Sequence, residues 1–167
     1  GLDDPMVAFF TSGSEGDAKL VPKMCRQVIG HAGSVSRMLG LPAGCRAVSL
    51  VPLFHILGFS YGLMAPLRAG GQTLVAAGLA PAAMKEAIIE FRPDLVVATA
   101  VQYRFLAAVI GPGDRMPDAV YISSGAPLLA KDRDEFNAKS GRAIVELYGS
   151  TETAGIAWRR GDAPWRP

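Results

Sequence analysis

Phe91-Arg92-Pro93-Asp94-Leu95-Val96-Val97-Ala98 closes one element and opens another. Arg92-Pro93-Asp94 stops a helix, because the residue before a proline is pushed out of the helical region. Leu95 to Ala98 is then apolar without interruption. A strand with one wet face would alternate; a continuous run indicates cover on both faces, the condition of a parallel sheet. Upstream, Pro81 to Phe91 has helical spacing with proline at its first position, and downstream Val101 to Ile110 reads as a second helix. The same alternation extends both ways. Further strands are predicted at Met6 to Phe10, Ala47 to Val51, Thr73 to Ala76, Ala119 to Ile122 and Ile144 to Leu147. Helices are predicted after Cys25, where Val28, Ala32, Val35 and Leu39 recur at helical spacing up to Pro42 and Gly44, and at Gly58 to Leu67 and Leu129 to Ser140. The expectation is an α/β fold, a largely parallel β-sheet with crossover helices on both faces, as one unit over residues 1–167.

Composition narrows the function classes. Half of the 167 residues are hydrophobic and 19% are charged, with mean hydropathy +0.24, so the chain can bury enough apolar surface to fold. A net charge of +2 from 17 basic and 15 acidic residues gives no single-sign field, and no basic run alternates with aromatics, which argues against nucleic acid. The two cysteines, Cys25 and Cys45, have no metal-like spacing and fit reduced thiols in a cytoplasmic protein. The sequence reads as having neither a membrane span nor a signal peptide.

Chemistry concentrates in a loop after the first predicted strand. Thr11-Ser12-Gly13-Ser14-Glu15-Gly16-Asp17-Ala18-Lys19 packs three hydroxyls, two glycines and a lysine together. Glycines let backbone N–H groups approach an anion, hydroxyls donate to phosphate oxygens, and lysine supplies charge. Neither the P-loop pattern, which needs a wider glycine spacing and a hydroxyl after the lysine, nor the dinucleotide G-x-G-x-x-G fits. The stretch resembles the signature of the adenylate-forming, AMP-binding superfamily of acyl- and aryl-CoA synthetases, commonly T-S-G-S/T-T-G-x-P-K, with Glu15 where a threonine is usual and Ala18 where a proline is usual.

Three further stretches resemble that family's motifs in the same order. Pro52-Leu53-Phe54-His55-Ile56-Leu57-Gly58 is similar to P-x-F-H-x-x-G, which implies that His55 lies beside the reacting carboxylate. Ser124-Gly125-Ala126-Pro127-Leu128 is similar to the G-A-P-L segment, so Gly125, Ala126 and Pro127 are implied to pass the adenine ring. Tyr148-Gly149-Ser150-Thr151-Glu152 looks like Y-G-x-T-E. An aromatic ring can stack on a base, a glycine lets the chain turn, a hydroxyl can bind the α-phosphate and a carboxylate can hold Mg²⁺. The resemblance implies Tyr148 and Gly149 for the adenine, Thr151 for the α-phosphate and Glu152 for the metal. It makes Thr11, Ser12, Gly13, Ser14, Gly16 and Lys19 the polyphosphate grip. Phe10, Ile122 and Leu147 are expected to end at one edge of the sheet, where ligands of open parallel sheets bind.

The implied reaction is adenylation of a small carboxylic acid by ATP, with CoA or a carrier-protein thiol as acceptor. Tyr61 and Val101 to Phe105 are the residues suggested for the acid pocket. His31 reads as structural. The implied whole protein is about three times longer; an N-terminal portion and a mobile C-terminal domain with a catalytic lysine are expected to lie outside this chain, and no lysine follows Glu152. Alone, the chain is expected to be inactive and to self-associate through surface uncovered by truncation. A non-catalytic nucleotide-binding module is the competing reading.

Overall fold

The computed structural model describes residues 1–11 and 19–167. The expectations for Ser12, Gly13, Ser14, Glu15, Gly16 and Ala18 fall outside the described residues.

A six-stranded sheet carries the fold, built from β3 Arg46–Ser49, β4 Gln72–Val75, β5 Leu95–Ala98, β6 Val120–Ser123, β7 Ile144–Ser150 and β8 Ala154–Arg160, in the order β4-β3-β5-β6-β7-β8. The pairs β3/β4, β3/β5, β5/β6 and β6/β7 are parallel, and β7/β8 is antiparallel. Helix α1, Cys25–Leu39, lies on one face with a π-helical stretch, Gly58–Met64, that continues into α2, Ala65–Arg68; helices α3 Pro81–Phe91, α4 Ala100–Val109 and α5 Ala130–Ser140 cover the other. Period-two alternation divides β5 between two cores. Val96 and Ala98 pack with Ile88, Tyr103, Leu106 and Phe136, whereas Leu95 and Val97 pack with Val35, Leu39, Tyr61 and Leu147. All four β5 residues are fully buried, which is why their run contains no polar residue.

Local chemistry sets the helix ends. Gln27 accepts the Met24 N–H at 2.9 Å at the start of α1, and Gln102 accepts the Thr99 N–H at 2.8 Å at the start of α4. Each satisfies a donor that a helix N-terminus leaves unpaired. Among the described residues no helix is long and apolar enough to cross a membrane.

Strands at both ends of the chain depart from the sequence expectation. The first, β1 Pro5–Thr11, lies outside the large sheet and pairs antiparallel with β2 Lys19–Met24, Thr11 opposite Lys19 and Phe10 opposite Leu20. Its run looks continuously apolar, yet Phe9 is buried while Met6 and Phe10 are exposed. It is a half-covered strand, and exposed hydrophobic residues on the outer side hide the alternation. Like β2, β8 has no counterpart among the predicted strands; its half-exposed Ala154–Arg160 joins the apolar run Ala154 to Trp158 to two arginines.

Candidate active site

The site is built where β6 and β7 end. After Ser123 the chain turns at Gly125, whose φ of +86° lies in the left-handed region that favours glycine, and buried Leu128 anchors the far end of the loop. Strand β7 does not stop at Leu147, as the sequence suggested, but runs through Tyr148 and Gly149 to Ser150 before the chain returns as β8. The pairing shifts register between Tyr148 and Gly149. A Cβ on Gly149 would stand 2.1 Å from the Ala154 carbonyl oxygen, so the close approach of the two strands requires glycine there. Ala154 itself has φ of +60°, a conformation costing roughly 1–2 kcal/mol for a residue with a Cβ.

These elements enclose a cleft of about 240 Å³, lined on one side by Ile56, Leu57 and Tyr61, and on the other by Ser124, Gly125 and the Tyr148 to Thr151 segment. Tyr61 reaches it from the π-helical stretch and is buried, its phenol pushed up to about 12 by loss of solvent. The Thr151 and Tyr61 hydroxyls make no protein hydrogen bond among the described residues, although both residues face the cleft.

Four of the residues predicted for the nucleotide thus come together: Gly125, Tyr148, Gly149 and Thr151. Tyr148 is 60% exposed, with its ring edge-on to Trp165 at 6.1 Å. Ala126 and Pro127 are exposed in the same loop without lining the cleft. His55 is exposed next to cleft-lining Ile56, its ring 4.7 Å from Phe54, and its imidazole does not line the cleft. Thr11 and Lys19 face each other as the last pair of the β1–β2 hairpin before its connecting residues. Of the acid-pocket residues, Tyr61 lines the cleft, whereas Val101 and Phe105 are exposed on α4.

Glu152 borders an adjoining cavity of about 270 Å³ with Lys23, Gln27, His31 and Ser60. Its carboxyl is held below the usual carboxylate range by its own backbone N–H and by Ser150, with Lys23 and Lys19 adding positive potential. It is therefore ionised and able to face a cation. Among the described residues no group of three His, Cys, Asp or Glu side chains could hold a metal unaided. That donor set suits Mg²⁺, which commonly takes one or two carboxylates and completes its shell with substrate phosphates and water.

Lys23 and His31 are the site neighbours that sequence reasoning missed. Lys23 is buried, and its ammonium donates to the Glu152 carbonyl at 2.6 Å. His31 is half-buried with its ring edge-on to Tyr61 at 5.3 Å, and its Nε2 accepts the Gly155 N–H at 3.4 Å. Burial, and then the charge of Lys23, lower its pKa. Strand alternation offered a signal for Lys23, since residues 19 and 23 share a face once Lys19 to Met24 is read as a strand. For His31 the helical pattern gave only its position on α1.

The geometry can be set beside known proteins. The chain is 34% identical over 163 residues to a 4-coumarate–CoA ligase of Cereibacter sphaeroides, covering 95% of this chain and 38% of that protein. It is 28% identical over 160 residues to a sulfoacetate–CoA ligase of Cupriavidus necator, covering 93% and 31%. The chain thus spans well under half the length of these curated relatives. In three dimensions it superposes on a malonyl-CoA ligase solved as a ternary product complex with methylmalonyl-CoA and AMP, with a TM-score of 0.83 and 24% identity over 99% of this chain and 37% of that one. The family model described as AMP-binding enzyme matches residues 1–167. The chain belongs to the AMP-binding enzyme family, the group to which its cleft at the β6 and β7 strand ends and its order of motifs both point.

Proposed function

We propose that this chain forms the nucleotide-binding part of an ATP-dependent acid–thiol ligase acting in the cytoplasm. The observation that carries the reading is the meeting of the Ser124–Gly125 loop and the Tyr148–Thr151 segment around one cleft at the carboxyl edge of a parallel sheet, where ligands of such sheets bind. The CoA ligase relatives support the reaction class.

In this reading the adenine lies against Tyr148 and Gly149 and the backbone of Gly125, Ala126 and Pro127. The Thr151 hydroxyl, uncommitted to protein among the described residues, donates to the α-phosphate. Thr11, Ser12, Gly13, Ser14, Gly16 and Lys19 hold the β- and γ-phosphates. Glu152, together with the phosphates, would hold Mg²⁺, which would supply positive charge to the leaving pyrophosphate. The acid enters beside His55 and Tyr61, and its carboxylate oxygen attacks the α-phosphorus as the bond to the β-phosphate oxygen breaks. Acyl-AMP and pyrophosphate result. A thiolate of CoA or a carrier protein then attacks the acyl carbonyl and AMP leaves.

Charge develops on the α-phosphoryl group, and removal of one positioned donor typically costs about 10² to 10³ in rate. In this reading the family's late catalytic lysine belongs to the whole protein, and the isolated chain is proposed to be inactive. Its single unit is completed by an N-terminal part and a mobile C-terminal domain in the whole protein. The exposed side chains Met6, Phe10 and Leu20 of the hairpin are the surface through which the isolated chain self-associates. Acid-dependent exchange of labelled pyrophosphate into ATP tests the reading: the whole protein is expected to catalyse it and the isolated chain not. Exchange by neither, with any acid of a broad panel, would contradict the proposed activity.

A further inference from the structure

We propose that Lys23 is a positioning residue that latches the Ser150 to Thr153 turn onto the β1–β2 hairpin, so that the two halves of the nucleotide site are held as one. The inference rests on the ATP reading above for what the turn does, but not for the latch itself.

Lysine is almost never buried without a partner, because moving an ammonium out of water is costly. Lys23 is only 7% exposed, and among the described residues its one hydrogen-bond acceptor is the Glu152 carbonyl at 2.6 Å, 129 positions away in sequence. The Glu152 carboxylate adds attraction without forming an ion pair. The remaining hydrogen bonds of the turn are local. The Ser150 N–H donates to Thr153 Oγ1 at 3.2 Å, the Thr153 N–H donates to Ser150 Oγ at 3.2 Å, and the two hydroxyls share a bond of 3.0 Å. Such bonds shape a turn without fixing its place. Beyond β7/β8 pairing, the ties from this region to another layer among the described residues are Lys23 to Glu152 and His31 to Gly155.

The position of Lys23 gives the tie its meaning. Strand alternation places it on the same face of β2 as Lys19, the residue that closes the phosphate loop. Buried Phe9, opposite Val21, seats this face on Phe59, with ring centroids 5.4 Å apart. A displacement of the hairpin is therefore passed through Lys23 to the backbone of Glu152, and with it to Thr151. Lys23 touches no reacting atom; it acts through the turn.

The test uses Lys23→Met, which keeps the stem and removes charge and donor, and Lys23→Arg, which keeps both, in the whole protein. Amide hydrogen exchange of residues 150–155 without nucleotide should accelerate about tenfold or more in Lys23→Met, with β5 and β6 unchanged, since a hydrogen bond to a charged group is lost. The Mg²⁺ concentration for half-maximal ATP binding should rise by a similar factor while KM for the acid stays constant. Lys23→Arg should restore both readouts. Unchanged exchange at the turn in folded Lys23→Met, or no recovery in folded Lys23→Arg, overturns the proposal. If Lys23→Met does not fold, Lys23→Gln, which removes the charge and shortens the stem, is read against the same criteria. Accelerated exchange at the turn in a protein whose wild type binds no ATP would keep the latch and overturn the nucleotide reading instead.

Discussion

The two edges of the parallel sheet carry similar residue types in opposite states. At the amino edge lie the larger cavities, about 590 and 460 Å³, bordered by Arg92, Asp94, Asp114, Asp118 and Arg142. Several of the charges there are paired, although Arg92 has no side-chain partner among the described residues. Asp94 accepts the Arg46 N–H at 2.8 Å, Arg142 pairs with Asp118 at 2.6 Å and also donates to the Met116 carbonyl, and Asp114 takes Lys85 at 2.7 Å and the Gly111 N–H at 2.8 Å. At the carboxyl edge the cleft is smaller, yet the Thr151 hydroxyl makes no protein hydrogen bond among the described residues, the Tyr148 ring is exposed, and the Glu152 carboxylate is met only locally, by its own backbone N–H and Ser150. If the proposed site is right, hydrogen-bond commitment separates the two edges better than volume does. On the proposed reading, the less committed groups of the carboxyl edge are the ones that meet the nucleotide.

That contrast can be broken by substitution. The largest effect is expected from Thr151→Val, which should lower acid-dependent pyrophosphate exchange about 10²- to 10³-fold with an unchanged melting temperature; a loss below about fivefold would remove the hydroxyl from the mechanism. Gly149→Ala should come next. With the Ala154 carbonyl 2.1 Å from the added Cβ, one strand must shift at a cost of about 1–3 kcal/mol, seen as a lower unfolding midpoint and weaker ATP binding together. Tyr148→Ala should weaken ATP by about tenfold to a hundredfold, as base–aromatic stacking contributes roughly 1–3 kcal/mol, while Tyr148→Phe should be neutral. Calorimetric titration separates these outcomes. At the amino edge, Asp118→Ala should cost under about 1 kcal/mol in stability, as exposed pairs do, and leave ATP affinity untouched; a marked loss of ATP binding there would erase the distinction between the edges.

A smaller effect concerns pH. The pKa of His31 is lowered by burial and by Lys23, so below 6.5 the unfolded chain binds protons that the folded chain does not. Stability should therefore fall as pH drops from 6.5 to the depressed folded value and then level off. His31→Asn should flatten that part of the profile. An identical profile in the variant would show that His31 is not its source.

Much of this was legible in the sequence because burial on both faces leaves a one-letter trace. Leu95-Val96-Val97-Ala98 can be apolar throughout only where both faces are covered, and Pro81 and Arg92-Pro93 mark the ends of α3 through backbone constraints alone. The cleft residues Gly125, Tyr148, Gly149 and Thr151 were marked by the resemblance to family motifs, with strand ends as the place where such motifs sit. What escaped notice depended on distant partners. The hairpin place of Met6 to Phe10 depends on pairing with Lys19 to Met24, and Phe10, 77% exposed, blurs the alternation. The burial of Lys23 is decided by a carbonyl 129 positions away, and no local pattern reports such a partner. His31 owes its environment to Tyr61 and Gly155 in the same way.

The central claim is that the nucleotide sits at the carboxyl edge of this sheet. Amide hydrogen exchange of the whole protein, with and without ATP and Mg²⁺, tests it most directly. The account predicts new protection at residues 124–128 and 148–153, with none at 92–94 or 113–118. Protection confined to the amino edge, or tight ATP binding that protects neither carboxyl-edge segment, would contradict it.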